Sequence, residues 1–159
     1  MLNRTQRLDG VLVRAGEIAV RSLHKMLEPV DVLLALLESM GVGVYAITNQ
    51  GIKLKAVRRY IIEHFGYAPQ SVVQEGILKR LFSRRKREIP ALSDELNSML
   101  ATASQEAASL RCNYVGTEHV LLAIMKDGGP ASEFLDKHGI HYHETRQTVQ
   151  QLLGIAPSP

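Results

Sequence analysis

Residues 113–125 read NYVGTEHVLLAIM, a Gly-Thr-Glu-His group followed by an apolar run. Its core, Val120-Leu121-Leu122-Ala123, recurs 88 positions earlier as Val32-Leu33-Leu34-Ala35. At that one offset residues 8–66 lie over residues 96–154 without a gap. Ala15 falls on Ala103, Ala19 on Ala107, Gly41 on Gly129, Gly51-Ile52 on Gly139-Ile140, Arg58 on Arg146 and Gly66 on Gly154. Matched glycines and matched apolar runs at a single offset mark an internal duplication.

Each half reads as four helices. In the second, Ser93 is an N-cap, and Leu96, Leu100, Ala103, Ala107 and Leu110 follow at helical spacing. A short loop, residues 111–116, leads to Thr117, whose hydroxyl is expected to cap a helix beginning at Glu118. A short third helix from Pro130 stops at Gly139, a residue suited to the left-handed position after a helix. The last helix runs from about Tyr142 to Leu153. The first half repeats the scheme from Thr5, under Ser93, to Gly66. With no sustained strand alternation, the fold class is all-α: repeat one 5–66, a partly helical basic linker 67–92, repeat two 93–154, and an unstructured tail 155–159. Within the linker, Pro69 and Pro90 bracket an amphipathic stretch from about Ser71, with Val72, Val73, Ile77 and Leu81 on one side and Leu78 and Phe82 beside them.

The totals fit one soluble domain: 159 residues, 45% hydrophobic, 22% charged and no Trp. No apolar run approaches the roughly 18 residues of a membrane span, and the charged N-terminal residues exclude a signal-peptide core. The single cysteine, Cys112, excludes an internal disulfide and any multi-cysteine zinc site, which favours the cytoplasm. Of nineteen basic residues, Lys79, Arg80, Arg84, Arg85, Lys86 and Arg87 sit in one segment, and the remaining thirteen face sixteen acids. No G-x-x-x-x-G-K-[ST] phosphate loop occurs, so the chain is not expected to be an ATPase by itself.

The segment AASLRCNYVGTEHVLLAIMKDGGPASEFLDKHGI resembles the repeat in the N-terminal domain of Clp unfoldases, the AAA+ partners of Clp protease. That family pairs two four-helix repeats with approximate two-fold symmetry. The resemblance covers nearly the whole chain. Repeat one diverges, with Glu28-Pro29-Val30-Asp31 where GTEH stands in repeat two. The resemblance implies a non-enzymatic module, without cofactor or metal, that binds client proteins or adaptors of a Clp protease system, or the Clp ATPase. In ClpC-type relatives pockets in this domain accept phosphoarginine, the GTEH glutamate taking the guanidinium. Carried over, Glu118 matches that glutamate and Ser93 the Thr at the start of the first helix. Thr5 is retained in repeat one, but Val30 replaces its glutamate and cannot pair with a cation. The expectation is one shallow pocket, with Glu118 accessible near the start of the Ser93 helix and no counterpart at Val30.

Thr117-Glu118-His119 also reads as an ordinary helix start: a capping hydroxyl, then an acid that complements the dipole. No further acid or nucleophile completes a catalytic group. His138, His141 and His143 lack an acid or Cys to finish a tetrahedral site and are read as surface residues. The basic segment is read as a solvated face or a dock for an acidic protein. The candidate partner-binding residues are therefore Glu118, Ser93, Thr117 and His119, with Arg84, Arg85 and Arg87. The alternative function is a small helical nucleic-acid-associated protein using residues 79–87 to grip phosphate.

Overall fold

The computed structural model describes residues 2–67 and 89–155. The expected linker helix, with Arg84, Arg85 and Arg87, lies outside the described residues, as does nearly all of the tail. Eight helices are found among those described. Repeat one carries α1 (Gln6–Arg21), α2 (Pro29–Glu38), α3 (Val42–Thr48) and α4 (Leu54–His64). Repeat two carries α5 (Asp94–Ser109), α6 (Thr117–Lys126), α7 (Pro130–Lys137) and α8 (Tyr142–Leu152). All eight starts coincide at the 88-residue offset.

The local chemistry repeats as well. Thr5 Oγ1 accepts from the Leu8 amide at 3.2 Å, and Ser93 Oγ accepts from the Leu96 amide at 3.1 Å. Both first helices end at a left-handed residue that is not glycine, Leu23 (φ 59°) and Arg111 (φ 56°). Beyond it the His24 and Cys112 amides each reach back to the carbonyls of Ala19 and Ala107 at 2.9 Å.

The two central helices open differently from the expectation. Gly116, not Thr117, is the N-cap of α6, and Thr117 is its first helical residue. The residue in the third helical position does the capping instead. His119 Nδ1 accepts from the Gly116 amide at 3.0 Å, and in α2 Asp31 Oδ2 accepts from the Glu28 amide at 2.9 Å. That bond leaves the Thr117 hydroxyl free to turn elsewhere.

Cover for the two Val-Leu-Leu-Ala runs comes from all sides: every one of the eight residues is buried. Full burial of each large aliphatic side chain is worth roughly 1.5–3 kcal/mol, so these helices anchor the core that both repeats share. Around it α5 runs back along α6, with Thr102 bonded to Asp127 at 3.0 Å and Glu106 to Lys126 at 2.7 Å.

Connections between the repeats are crossed. β1 (Asn3–Arg4) pairs in parallel with β2 (Tyr114–Val115), and the Thr5 amide donates to the Val115 carbonyl at 3.0 Å. The symmetry mate of this contact is the parallel bridge of Leu27 with Leu92, where the Ser93 amide donates to the Leu27 carbonyl at 3.0 Å. Each repeat's first helix is thus tied to the other repeat's loop. Two-residue strands are too short to show an alternating pattern, so this small addition to the all-α fold has no signature in the sequence.

Candidate functional site

The crossing moves Glu118 away from Ser93. Because α5 and α6 are antiparallel, Ser93 lies beyond the far end of α6, and Glu118 faces the start of α1 instead, where the charge of Arg7 acts on it. The expected pairing of Glu118 with the Ser93 helix is therefore corrected to a pairing with the helix that follows Thr5.

Accessibility is corrected too. Glu118 is only 3% exposed. Thr117 Oγ1 donates to Glu118 Oε2 at 3.3 Å and lies 3.5 Å from the Gly43 amide at the start of α3. Arg7 donates to the Met40 carbonyl beside it. Closure here depends on the missing side chain of Gly43, since a Cβ there would stand 2.9 Å from the Thr117 carbonyl oxygen. Burial raises the Glu118 carboxyl above its ordinary value, opposed by its own backbone amide, the Thr117 hydroxyl and Arg7. His119 is fully buried and, with Nδ1 already accepting, carries its proton on Nε2, which has no partner. Burial lowers its pKa to about 4, so the ring is neutral and its 3.5 Å approach to Glu118 is not an ion pair.

At the symmetry-related junction the same elements, α2 and α7, pack less closely. Pro29 stands where Thr117 does, and Ala131 replaces Gly43. Between them opens a groove of about 600 Å³. Its floor is Val30, Phe65, Met99, Ile124, Pro130 and Ala131, and its rim carries Glu28, Glu95 and Asp127. The expectation of no pocket at Val30 is thereby overturned: the open site sits at Val30, and the closed one at Glu118. What decided it was which of the two junctions carries small residues, and that requires knowing which residues meet across the repeats.

One wall of the groove is a buried polar network that the sequence reading missed. Asp31, fully buried, accepts from the Tyr67 hydroxyl at 2.8 Å and from His24 Nδ1 at 2.9 Å. Burial raises the Asp31 carboxyl against the pull of these three partners, the Glu28 amide included, and raises the Tyr67 hydroxyl. An acid inside the apolar run VDVLLALL was the available signal.

The other candidates are dispersed. Ser93 is buried with its hydroxyl spent on the cap. His138 stacks on Phe134 with Nδ1 2.7 Å from that residue's carbonyl, and His141 faces Asp136 at 3.1 Å. Cys112 is half-buried, and burial pushes its thiol up. Among the described residues no three potential ligands group around a metal-sized space, and no single helix is long and apolar enough to cross a membrane.

Comparison with known proteins agrees with this architecture. The model of the Clp repeat (R) N-terminal domain family matches residues 3–89 and 91–159. Over 152 residues the chain is 29% identical to the chaperone protein ClpB of Oceanobacillus iheyensis, covering 94% of this chain and 17% of that protein. It is 30% identical, over the same shares, to ClpC/MecB of Bacillus subtilis, described as a negative regulator of genetic competence. The fold matches the Hsp104 N-terminal domain of Candida albicans with a TM-score of 0.73 at 17% identity, over 97% of this chain and 93% of that one. For the N-terminal domain of ClpD from Arabidopsis thaliana the TM-score is 0.65 at 15% identity, over 96% and 95%. The chain spans about a sixth of the length of the curated relatives it matches.

Proposed function

This chain belongs to the Clp repeat N-terminal domain family, and from that premise we propose that it is a protein-binding module. It recruits client proteins or adaptors of a Clp AAA+ unfoldase–protease system, or withholds them from it. The observation that carries the reading is the groove at Val30. It combines an apolar floor with a polar rim and lies between two rigid helical repeats, the usual geometry of a binding cleft. Two of the helices that line it are capped within the fold, by Ser93 and by Asp31, so little ordering cost falls on binding there. Docking at this surface requires no turnover.

The test uses labelled casein, an unfolded model client, titrated against the whole chain by fluorescence anisotropy. Saturable binding is expected. Ser98 is an exposed residue on the groove wall, and Ser98→Trp should fill the groove and weaken binding about ten-fold or more while leaving the thermal melt unchanged. Equal binding by wild type and variant would move the client site off the groove. No saturable binding by the wild type would remove the reading.

A further inference from the structure

The groove also carries a charge pattern that selects among clients. Its lining includes Glu28, Glu95 and Asp127, and among the described residues neither Lys nor Arg lines it. Among the described residues Glu28 and Glu95 have no ion-pair partner, and Asp127 accepts from the Thr102 hydroxyl. The imidazole on the wall, His24, is already bound to the carboxylate of Asp31. An apolar floor under unpaired carboxylates is complementary to a segment that places an apolar side chain between cations.

Two further features disfavour an anion. Both helices that open on the groove, α2 and α7, begin with proline at their first position, Pro29 and Pro130. Proline nitrogen carries no hydrogen, so each start offers one donor fewer to a phosphate. The adjoining Ser93 hydroxyl accepts the Leu96 amide, and the Ser132 hydroxyl donates to the Met125 carbonyl at 2.7 Å. Val30 takes away one carboxylate, yet Glu28 and Glu95 restore negative charge at the rim of the same space.

We infer that this groove binds extended segments in which an apolar residue is flanked by unmodified arginine or lysine, and that it discriminates against the phosphorylated form. This rests on the reading of the groove as the client site. The test uses four labelled peptides with a common Phe-Leu-Val centre, flanked by arginines, glutamines, glutamates or phosphoarginines, titrated against the whole chain. At low salt the arginine peptide should bind roughly ten-fold tighter than the glutamine peptide, since two or three partly exposed charge pairs act together. The glutamate and phosphoarginine peptides should bind more weakly than the glutamine peptide. In the Glu28→Gln, Glu95→Gln double variant, the arginine advantage should shrink to about two-fold or less. Equal affinities for arginine and glutamine peptides, an advantage that survives in the double variant, or tighter binding of phosphoarginine would each overturn the inference. Failure of every peptide overturns it as well, and casein binding in the same assay then shows whether the client reading itself still stands.

Discussion

His119 shows how one residue can cap a helix and tune the whole protein's response to acid. Its ring is neutral because Nδ1 accepts the Gly116 amide inside the protein, and burial holds its pKa near 4 against an ordinary value of 6.5. The unfolded chain therefore takes up a proton between about pH 6.5 and pH 4 that the folded chain refuses. Stability from this group is complete above the unfolded value and is lost as pH falls through that window, by at most about 3 kcal/mol. Asp31 and Glu118, whose carboxyls are raised, act in the opposite sense: their contribution is complete at low pH and is lost as pH rises through their raised values. Asp31 caps α2 with a short side chain, so His119→Asn should keep a capping oxygen while abolishing the imidazole titration. Urea denaturation from pH 4.5 to 7.5 should show a steep acid loss in the wild type and a flattened or reversed slope in the variant. An unchanged slope would assign the acid sensitivity to other groups.

Among the elements, the helices were legible because the signals that start and stop them are local. Thr5 and Ser93 cap, and Gly51, Gly66, Gly139 and Gly154 take positive φ where helices end. The cap of α6 was misplaced because a Thr after a Gly looks like a cap unless the third helical residue is known to reach back. The contacts across the repeats were not legible at all. The offset of 88 shows which residues are equivalent, not which ones touch, and the closed junction at Thr117 and the open one at Pro29 differ both in the residue that starts the helix and in what meets it from α3 or α7. Two glycines separate these cases by experiment. Gly10 lies in the exposed part of α1, where an added Cβ would meet nothing, so Gly10→Ala should stabilise the protein by about 0.5–1 kcal/mol. Gly43 in α3 abuts the Thr117 backbone, which cannot yield like a flexible side chain. Gly43→Ala should lower the thermal midpoint, by roughly 1–3 kcal/mol of overpacking, despite the same gain in helix propensity. If both substitutions stabilise, α3 does not approach α6 as closely as the structure places it.

At the scale of the whole molecule the repeats are equivalent but not independent. α2 and α6 share one core, and β1 and Leu92 each pair with the opposite repeat. A half-chain of about sixty residues would bury too little apolar surface and leave these backbone groups unpaired. Residues 1–66 and 89–159 made separately should show weak helical circular dichroism and no cooperative melt; mixed together, they should recover both. A cooperative melt in either half alone would mean that the crossed contacts are ornaments on self-sufficient repeats. The same crossing sets an order of events when the chain is synthesised. Asn3 and Arg4 leave the ribosome more than a hundred residues ahead of their partners Tyr114 and Val115. Local helices can form as they emerge, whereas the strap that fixes α1 must wait for the second repeat. Until then the apolar face of α2 is open to chaperones and proteases, and a ribosome stalled between the repeats would display an unfinished chain of the kind that such quality-control systems bind.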